Sequence, residues 1–238
     1  GRDTPIVENA GFYAAVYEVT QGDWARIAKE DFEQVLARQE GGGNRIWRYL
    51  GERLPVYHLT MSDVVTFLEV VNRRERKDYG VEAWDYSLPT ELEWEYAARS
   101  PDNREYVTGN LLMPDAAKFR FDEVRTYNSE PLPEAWFRRR ENLPNINGPM
   151  EVGSRSIASY HGLHDIHGNV AELTCTLSIT RLQDIPGASR RGSLWITKGG
   201  GWSASMKQCA FGARGLTGSE ILNKFTGIRL IARPPVAR

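Results

Sequence analysis

The positions of the helix signals constrain the fold of this chain of 238 residues more than any other feature. Thr60 and Asp63 form a capping box, and apolar residues follow at helical spacing until Gly80 ends the segment. A second capping box begins another helix after Thr90. Between residues 100 and 160 the chain shows no period of either helix or strand. Helices grouped early in the chain favour an α+β fold over a repeating βαβ series.

Shorter signals complete the predicted secondary structure. Thr20 is the expected N-cap of a first helix that carries Trp24 on its buried face. The last predicted helix runs from Leu92 to Arg99, and helical spacing places both residues on one packed face with Tyr96. We expect a single domain over residues 1–238, with strands at 11–19, 194–198 and 227–233 and a glycine-rich loop at 41–43.

Composition and charge argue against several classes of partner. The chain has 30 basic and 31 acidic side chains, so its formal net charge is -1 and no overall field attracts nucleic acid or an anionic membrane. The run Arg138-Arg139-Arg140 is followed by Glu141, which favours a solvated loop over a nucleic-acid contact. No apolar run approaches the roughly 20 residues that span a bilayer. We therefore expect neither nucleic acid nor a membrane span.

Several short motifs follow one another along the chain in a fixed order. Together they resemble the formylglycine-generating-enzyme-like domain, also called the sulfatase-modifying factor domain, which is a variant of the C-type-lectin fold. The resemblance covers roughly the whole chain and implies two main helices, short strands and much irregular loop. The segments that carry it are 17–24, 54–56, 88–99, 106–110, 163–173, 198–202 and 227–230.

The resemblance implies a calcium ion at the segment 163–173. In the family this segment commonly wraps Ca²⁺, and oxygen donors on a tight loop suit that hard cation. An alternative is that the two carboxylates only cap nearby backbone amides. Carried over by position, the ligands are the carboxylates of Asp165 and Glu172 and the carbonyls of Gly168 and Val170.

Histidines in the same segment raise the question of zinc. His161, His164 and His167 recur every three residues, but this spacing on a loop does not by itself bring three imidazoles to one point. The family has a structural histidine at the position of His167. We therefore expect no zinc site here.

The resemblance also bears on catalysis. The family's oxidases bind Cu(I) through two cysteines five residues apart, just after the glycine-rich motif, and thiolates suit that soft ion. The matching positions here are Ala204 and Cys209, so one copper ligand is missing. We expect no copper and a buried or partly buried thiol at Cys209. A divergent oxidase that uses another metal, and an interaction module of a larger protein, stay open as alternatives.

The C-terminal segment predicts binding. Residues 199–230 resemble the variable region of diversity-generating retroelement variable proteins, with Trp202 and Arg214 as framework. That resemblance implies a non-catalytic domain that displays variable side chains to a protein or other macromolecular ligand, at the surface of a cell or virion. Lys207 and Gln208 count against it, because adenine changes in an Asn codon cannot produce them. The displayed positions are expected at Ser203, Ala204, Ser205, Lys207, Gln208, Ala213, Gly215, Leu216, Thr217 and Gly218.

Overall fold

The protein has a mixed α and β architecture in which helices and short strands are joined by long connections. A computed structural model describes residues 11–39, 48–121, 126–141, 143, 147–155, 157–181, 193–218 and 224–235. The predicted loop at 41–43 lies outside these residues. The helices within them are α1 Gln21–Ala28, α2 Phe32–Gln39, α3 Met61–Tyr79, α4 Glu91–Ala98 and α5 Glu134–Glu141.

The strands form three small sheets. In the first, β9 lies between β1 and β2, and in the second β3 pairs with β4. The third has the order β7-β6-β5-β8, and only its β5–β8 pair is parallel. The strands are β1 Tyr13–Ala14, β2 Asp85–Ser87, β3 Thr126–Tyr127, β4 Glu130–Pro131, β5 Ala171–Arg181, β6 Ser193–Lys198, β7 Gly215–Gly218, β8 Thr226–Gly227 and β9 Ile231–Arg233.

The N-terminal caps of three helices are confirmed. Thr20, Thr60 and Thr90 each accept a hydrogen bond from the backbone amide three residues on, and the acidic side chain at that third position accepts one from the cap backbone. Each reciprocal pair satisfies two amide groups that the helix itself leaves without partners. Local sequence alone therefore sets where α1, α3 and α4 begin.

The predicted face of α4 is wrong. Leu92 and Tyr96 are 80% and 70% exposed, whereas Trp94 is buried. Trp94 turns inward because its indole Nε1 donates to the buried carboxylate of Glu172 at 2.6 Å. The face that packs combines this polar partner on β5 with apolar residues at helical spacing, Trp94, Ala97 and Ala98.

The strand predicted at 11–19 is mostly irregular. Within residues 11–19, only Tyr13 and Ala14 pair in register with β9, which is itself only three residues long. The rest of the segment follows the chain after β8 through single bonds, from the amide of Ala15 to the carbonyl of Leu230 and from Val19 to Ile228. Helices α2 and α5 were not predicted.

In the described part of the chain the core consists of three apolar clusters, and residues of the segment 163–173 belong to two of them. The first surrounds Trp24, Tyr57, Phe67 and Trp202 and lies under α1 and α3. The second includes Tyr106, Trp136, Met206 and Cys209, and the third contains Trp94 and Phe211. The C-terminal segment 199–230 thus contributes buried residues to more than one cluster.

Candidate functional site

A buried ion pair fixes the start of β5. The carboxylate of Glu172 accepts bonds from Arg229 Nε at 2.9 Å and Nη2 at 2.7 Å, and both side chains are about 1% exposed. Arg229 also donates to the carbonyls of Ala15, Val16 and His164. Breaking such a buried pair typically costs about 3–5 kcal/mol, because the remaining charge is left without compensation. The motif 227–230 is therefore a structural tie between three segments.

The four predicted calcium ligands lie close to this tie. Asp165 is buried and accepts the amide of Gly153 at 2.6 Å, while burial raises the pKa of its carboxyl group. Glu172 is engaged by Arg229 and Trp94, so one of the two predicted carboxylates already faces protein donors. The calcium site at Asp165, Gly168, Val170 and Glu172 stays a prediction, which a calcium titration followed by the melting temperature would test.

The three histidines of this segment have separate partners. His161 stacks on Tyr96, and His164 Nδ1 lies 3.2 Å from the carbonyl of Arg155. His167 is buried, accepts the amide of Val107 at Nε2 and therefore donates from Nδ1 to the carbonyl of Cys209. In the described part of the chain, no three His, Cys, Asp or Glu side chains gather as a metal site.

Cys209 lies directly beneath the glycine-rich turn. Its thiol is fully buried, and burial raises its pKa to about 12. Gly200 adopts φ +69°, and a Cβ atom there would lie 2.8 Å from the Cys209 sulfur and 3.1 Å from the Cβ of Ala204. The buried thiol predicted at Cys209 is confirmed, and an alanine methyl group occupies the position next to it.

A surface cavity of about 380 Å³, here called the C-terminal cleft, opens above this turn. It brings together five of the ten predicted display residues, and none of the ten is buried. Ser205 and Lys207 lie beside it, while Thr217 and Gly218 continue along β7. The cleft is lined by Ala171, Thr197, Gly200, Gly201, Ser203, Ala204, Gln208, Arg214, Gly215, Leu216 and Phe225.

A charged network supports one wall of the C-terminal cleft. Arg214 Nε donates to the buried carboxylate of Glu91, although the arginine side chain is 65% exposed. Lys198 is fully buried and contacts Glu91 at 3.5 Å and Glu95 at 2.7 Å. Sequence reasoning placed Arg214 in the framework but missed Glu91, Glu95 and Lys198. The i, i+4 spacing of the two glutamates on a capped helix was the available signal.

Comparison with known proteins agrees with this architecture. Residues 4–234 match the family of sulfatase-modifying factor enzyme 1-like domains. The chain belongs to this family. The chaperone protein LppX of Paenibacillus barcinonensis is 26% identical in an alignment that covers 92% of this chain and 79% of LppX.

Solved structures share the fold of this family member. The Treponema denticola variable protein 1 superposes with a TM-score of 0.62 at 20% identity, covering 94% of this chain and 84% of that one. CarF gives 0.61 at 17% identity, with 94% and 86% covered. PvdO from Pseudomonas aeruginosa gives 0.58 at 19% identity, with 93% and 80% covered. The predicted α+β fold of the C-type-lectin type is thereby confirmed.

Proposed function

We propose that this protein is a non-catalytic binding domain that holds a protein ligand at the C-terminal cleft. The single observation that carries the proposal is the exposure of the predicted display residues around one cavity. Leu216, for example, is 41% exposed and lines this cavity beside the polar side chains of Ser203 and Gln208. Exposed apolar groups beside polar ones are typical of recognition surfaces.

The chemistry beneath the cleft supports binding over oxidation. A copper site of the family type needs two thiolates, and Ala204 supplies none. The remaining thiol, Cys209, is buried, and a pKa raised to about 12 keeps it protonated at neutral pH. The position therefore carries neither a reactive nucleophile nor a pair of soft ligands.

A rigid frame below the cleft also supports display. Trp202 is buried, and its ring contacts Tyr57 and Phe225 with centroids 5.6 and 4.9 Å apart. Strand β7 pairs with β6 in continuous antiparallel register from Gly215 to Gly218. Side chains on such a frame can change without loss of the core, which is what a variable surface requires.

The relatives support a protein as the ligand. One structural neighbour is named a variable protein, and the relative from Paenibacillus barcinonensis is named a chaperone protein. The formal net charge of the chain is only -1, which fits a ligand recognised by shape and local contacts. In the described residues no helix is both long and apolar enough to cross a membrane.

Peptide selection tests the proposal. A phage-displayed library of random peptides is selected on the wild-type protein, and the recovered peptides are measured against Ser203→Trp and Leu216→Glu. We expect both variants to weaken binding about ten-fold or more, because they fill or charge the cleft. Val81→Glu is the matched control, since Val81 is 92% exposed and lies outside the cleft.

Melting temperatures of all three variants should match the wild type, because none of the three side chains is buried. Peptides that bind every variant equally well would place the recognition surface elsewhere and overturn the proposal.

A further inference from the structure

The lining of the C-terminal cleft is electrostatically one-sided. Among the described residues that line it, Arg214 is charged and none is acidic. The polar groups around it include the hydroxyl groups of Ser203 and Thr197, and the apolar wall is formed by Leu216 and Phe225. A cleft of this kind presents hydrogen-bond donors and one positive charge beside a hydrophobic surface.

The guanidinium of Arg214 is held at one edge and open at the other. Its Nε donates to Glu91, and no described residue accepts a hydrogen bond from its Nη1 or Nη2. These terminal nitrogens form the planar fork that matches a carboxylate with two parallel hydrogen bonds. Because Glu91 fixes the orientation of the side chain, less rotamer entropy is lost when a ligand binds.

In the described part of the chain, the network behind Arg214 contains more cations than carboxylates. Glu91 is shared by Arg214 and the buried Lys198, and Glu95 is shared by Lys198 and Arg99, which it contacts at 3.1 Å. Among the residues that the structure describes, three cations of this network therefore contact two carboxylates. Arg214 is the most exposed of these three cations, at 65%, and it is the one that lines the cleft.

Gln208 supplies a further donor to the lining of the cleft. The side-chain oxygen of Gln208 accepts hydrogen bonds from the backbone amide and hydroxyl of Ser205, at 2.8 and 3.0 Å. The other polar atom of the side chain is the amide nitrogen, which can only donate. Arg214 and Gln208 thus both line this cavity with N–H groups that can donate hydrogen bonds to a ligand.

We infer that the C-terminal cleft recognises a carboxylate of its protein ligand, gripped by Arg214 and flanked by an apolar group against Leu216. This inference rests on the proposed function and names the chemistry of the ligand. The carboxylate could belong to the C-terminus of the ligand or to an acidic side chain. Both sources present the same pair of oxygens to the guanidinium.

Small capped amino acids separate these possibilities. Each probe is added to the protein, and its affinity is measured by NMR of the protein. The affinity of N-acetyl-leucine is compared with that of N-acetyl-leucinamide, and the affinity of N-acetyl-glutamate α-amide with that of N-acetyl-glutamine α-amide. We expect at least one carboxylate probe to bind about ten-fold more tightly than its neutral counterpart, since hydrogen bonds to a charged group are the stronger kind. Preference for the first probe indicates a C-terminus, and preference for the second indicates an acidic side chain.

Variants of arginine make the test specific. Arg214→Gln should abolish the preference for the carboxylate, while Arg26→Gln should retain it, because Arg26 is equally exposed and paired with Asp23 at a distant site. A change in melting temperature alone, with the preference intact, would mean that Arg214 is only structural and would overturn the inference.

The two failures are distinguishable. If neither carboxylate probe outbinds its neutral partner while selected peptides still depend on Ser203 and Leu216, the carboxylate inference falls and the proposed function stands. If selected peptides ignore the cleft variants, both fall.

Discussion

At the scale of single residues, the thiol of Cys209 contributes to packing at a position where the resemblance implies a copper ligand. The thiol lies in an apolar cluster with Tyr106 and Met206, under a glycine turn that admits no side chain. The carbonyl of the same residue accepts a hydrogen bond from His167, so backbone and side chain are both fixed. A cysteine in such surroundings behaves as a small apolar residue.

Alkylation tests the state of this thiol. Iodoacetamide should modify the exposed Cys175 in the folded protein and leave Cys209 unmodified, because burial removes both access and the thiolate form. In denaturant both cysteines should react. Mass spectrometry of tryptic peptides measures the two rates, and equal modification of both residues under native conditions would contradict a buried thiol.

His167 should contribute a pH-dependent part of the stability. Burial lowers the pKa of His167 to about 4, below the ordinary value of 6.5. The unfolded state therefore binds the proton more readily, so this contribution is complete above about pH 6.5 and is lost as the pH falls towards 4.

Between pH 7 and pH 4 the wild type should lose about 3 kcal/mol more of its free energy of unfolding than His167→Gln, as the shift in pKa requires. Urea denaturation of both proteins at the two pH values gives the difference. Identical losses in the two proteins would show that His167 is not held neutral.

At the scale of elements, the segment 163–173 depends on a close approach of two backbones. Gly168 adopts φ +79°, and a Cβ atom there would lie 2.0 Å from the carbonyl oxygen of Lys118. Gly162 also has positive φ, at +83°, but a Cβ atom there would meet nothing within 4 Å. Substituting the two glycines therefore distinguishes the cost of backbone strain, which both share, from the cost of a steric clash, which only Gly168 has.

Alanine substitutions exploit this contrast. Gly162→Ala should cost about 1 kcal/mol, the penalty of a left-handed conformation for a residue with a Cβ atom. Gly168→Ala should cost about 4 kcal/mol or more, because the backbone of Lys118 must move as well. Urea denaturation measures both variants, and equal costs would contradict the close approach.

The helices that sequence predicts are those with strong local signals. The capping boxes at Thr20, Thr60 and Thr90 depend on residues three apart, so a short window contains them. No such box begins α2 or α5, and α5 buries only Trp136 among its eight residues. Helix α5 owes its position to tertiary contact, since the Trp136 indole donates to the carbonyl of Leu112.

The candidate site likewise has one part that local sequence predicts and another that depends on tertiary contacts. Its glycine turn, its buried Cys209 and the exposure of its rim follow from residues close together between 199 and 218. The network of Glu91, Lys198 and Arg214 joins positions more than a hundred residues apart. Only the fold shows that α4 supports the cleft from below.

At the scale of the whole molecule, the cleft is held by elements from both ends of the chain. Helix α4 contributes Glu91, β6 contributes Lys198, and the ring of Trp202 packs against Tyr57 from the first cluster. These contacts do not involve the predicted display side chains, which is the property that the proposed function needs of the frame below them.

Hydrogen–deuterium exchange with a selected peptide bound tests that account most directly. Saturating peptide should slow exchange at backbone amides within residues 200–218 and leave α3, Met61–Tyr79, unchanged. Protection confined to other parts of the molecule, with residues 200–218 exchanging as in the free protein, would contradict a binding surface at the C-terminal cleft.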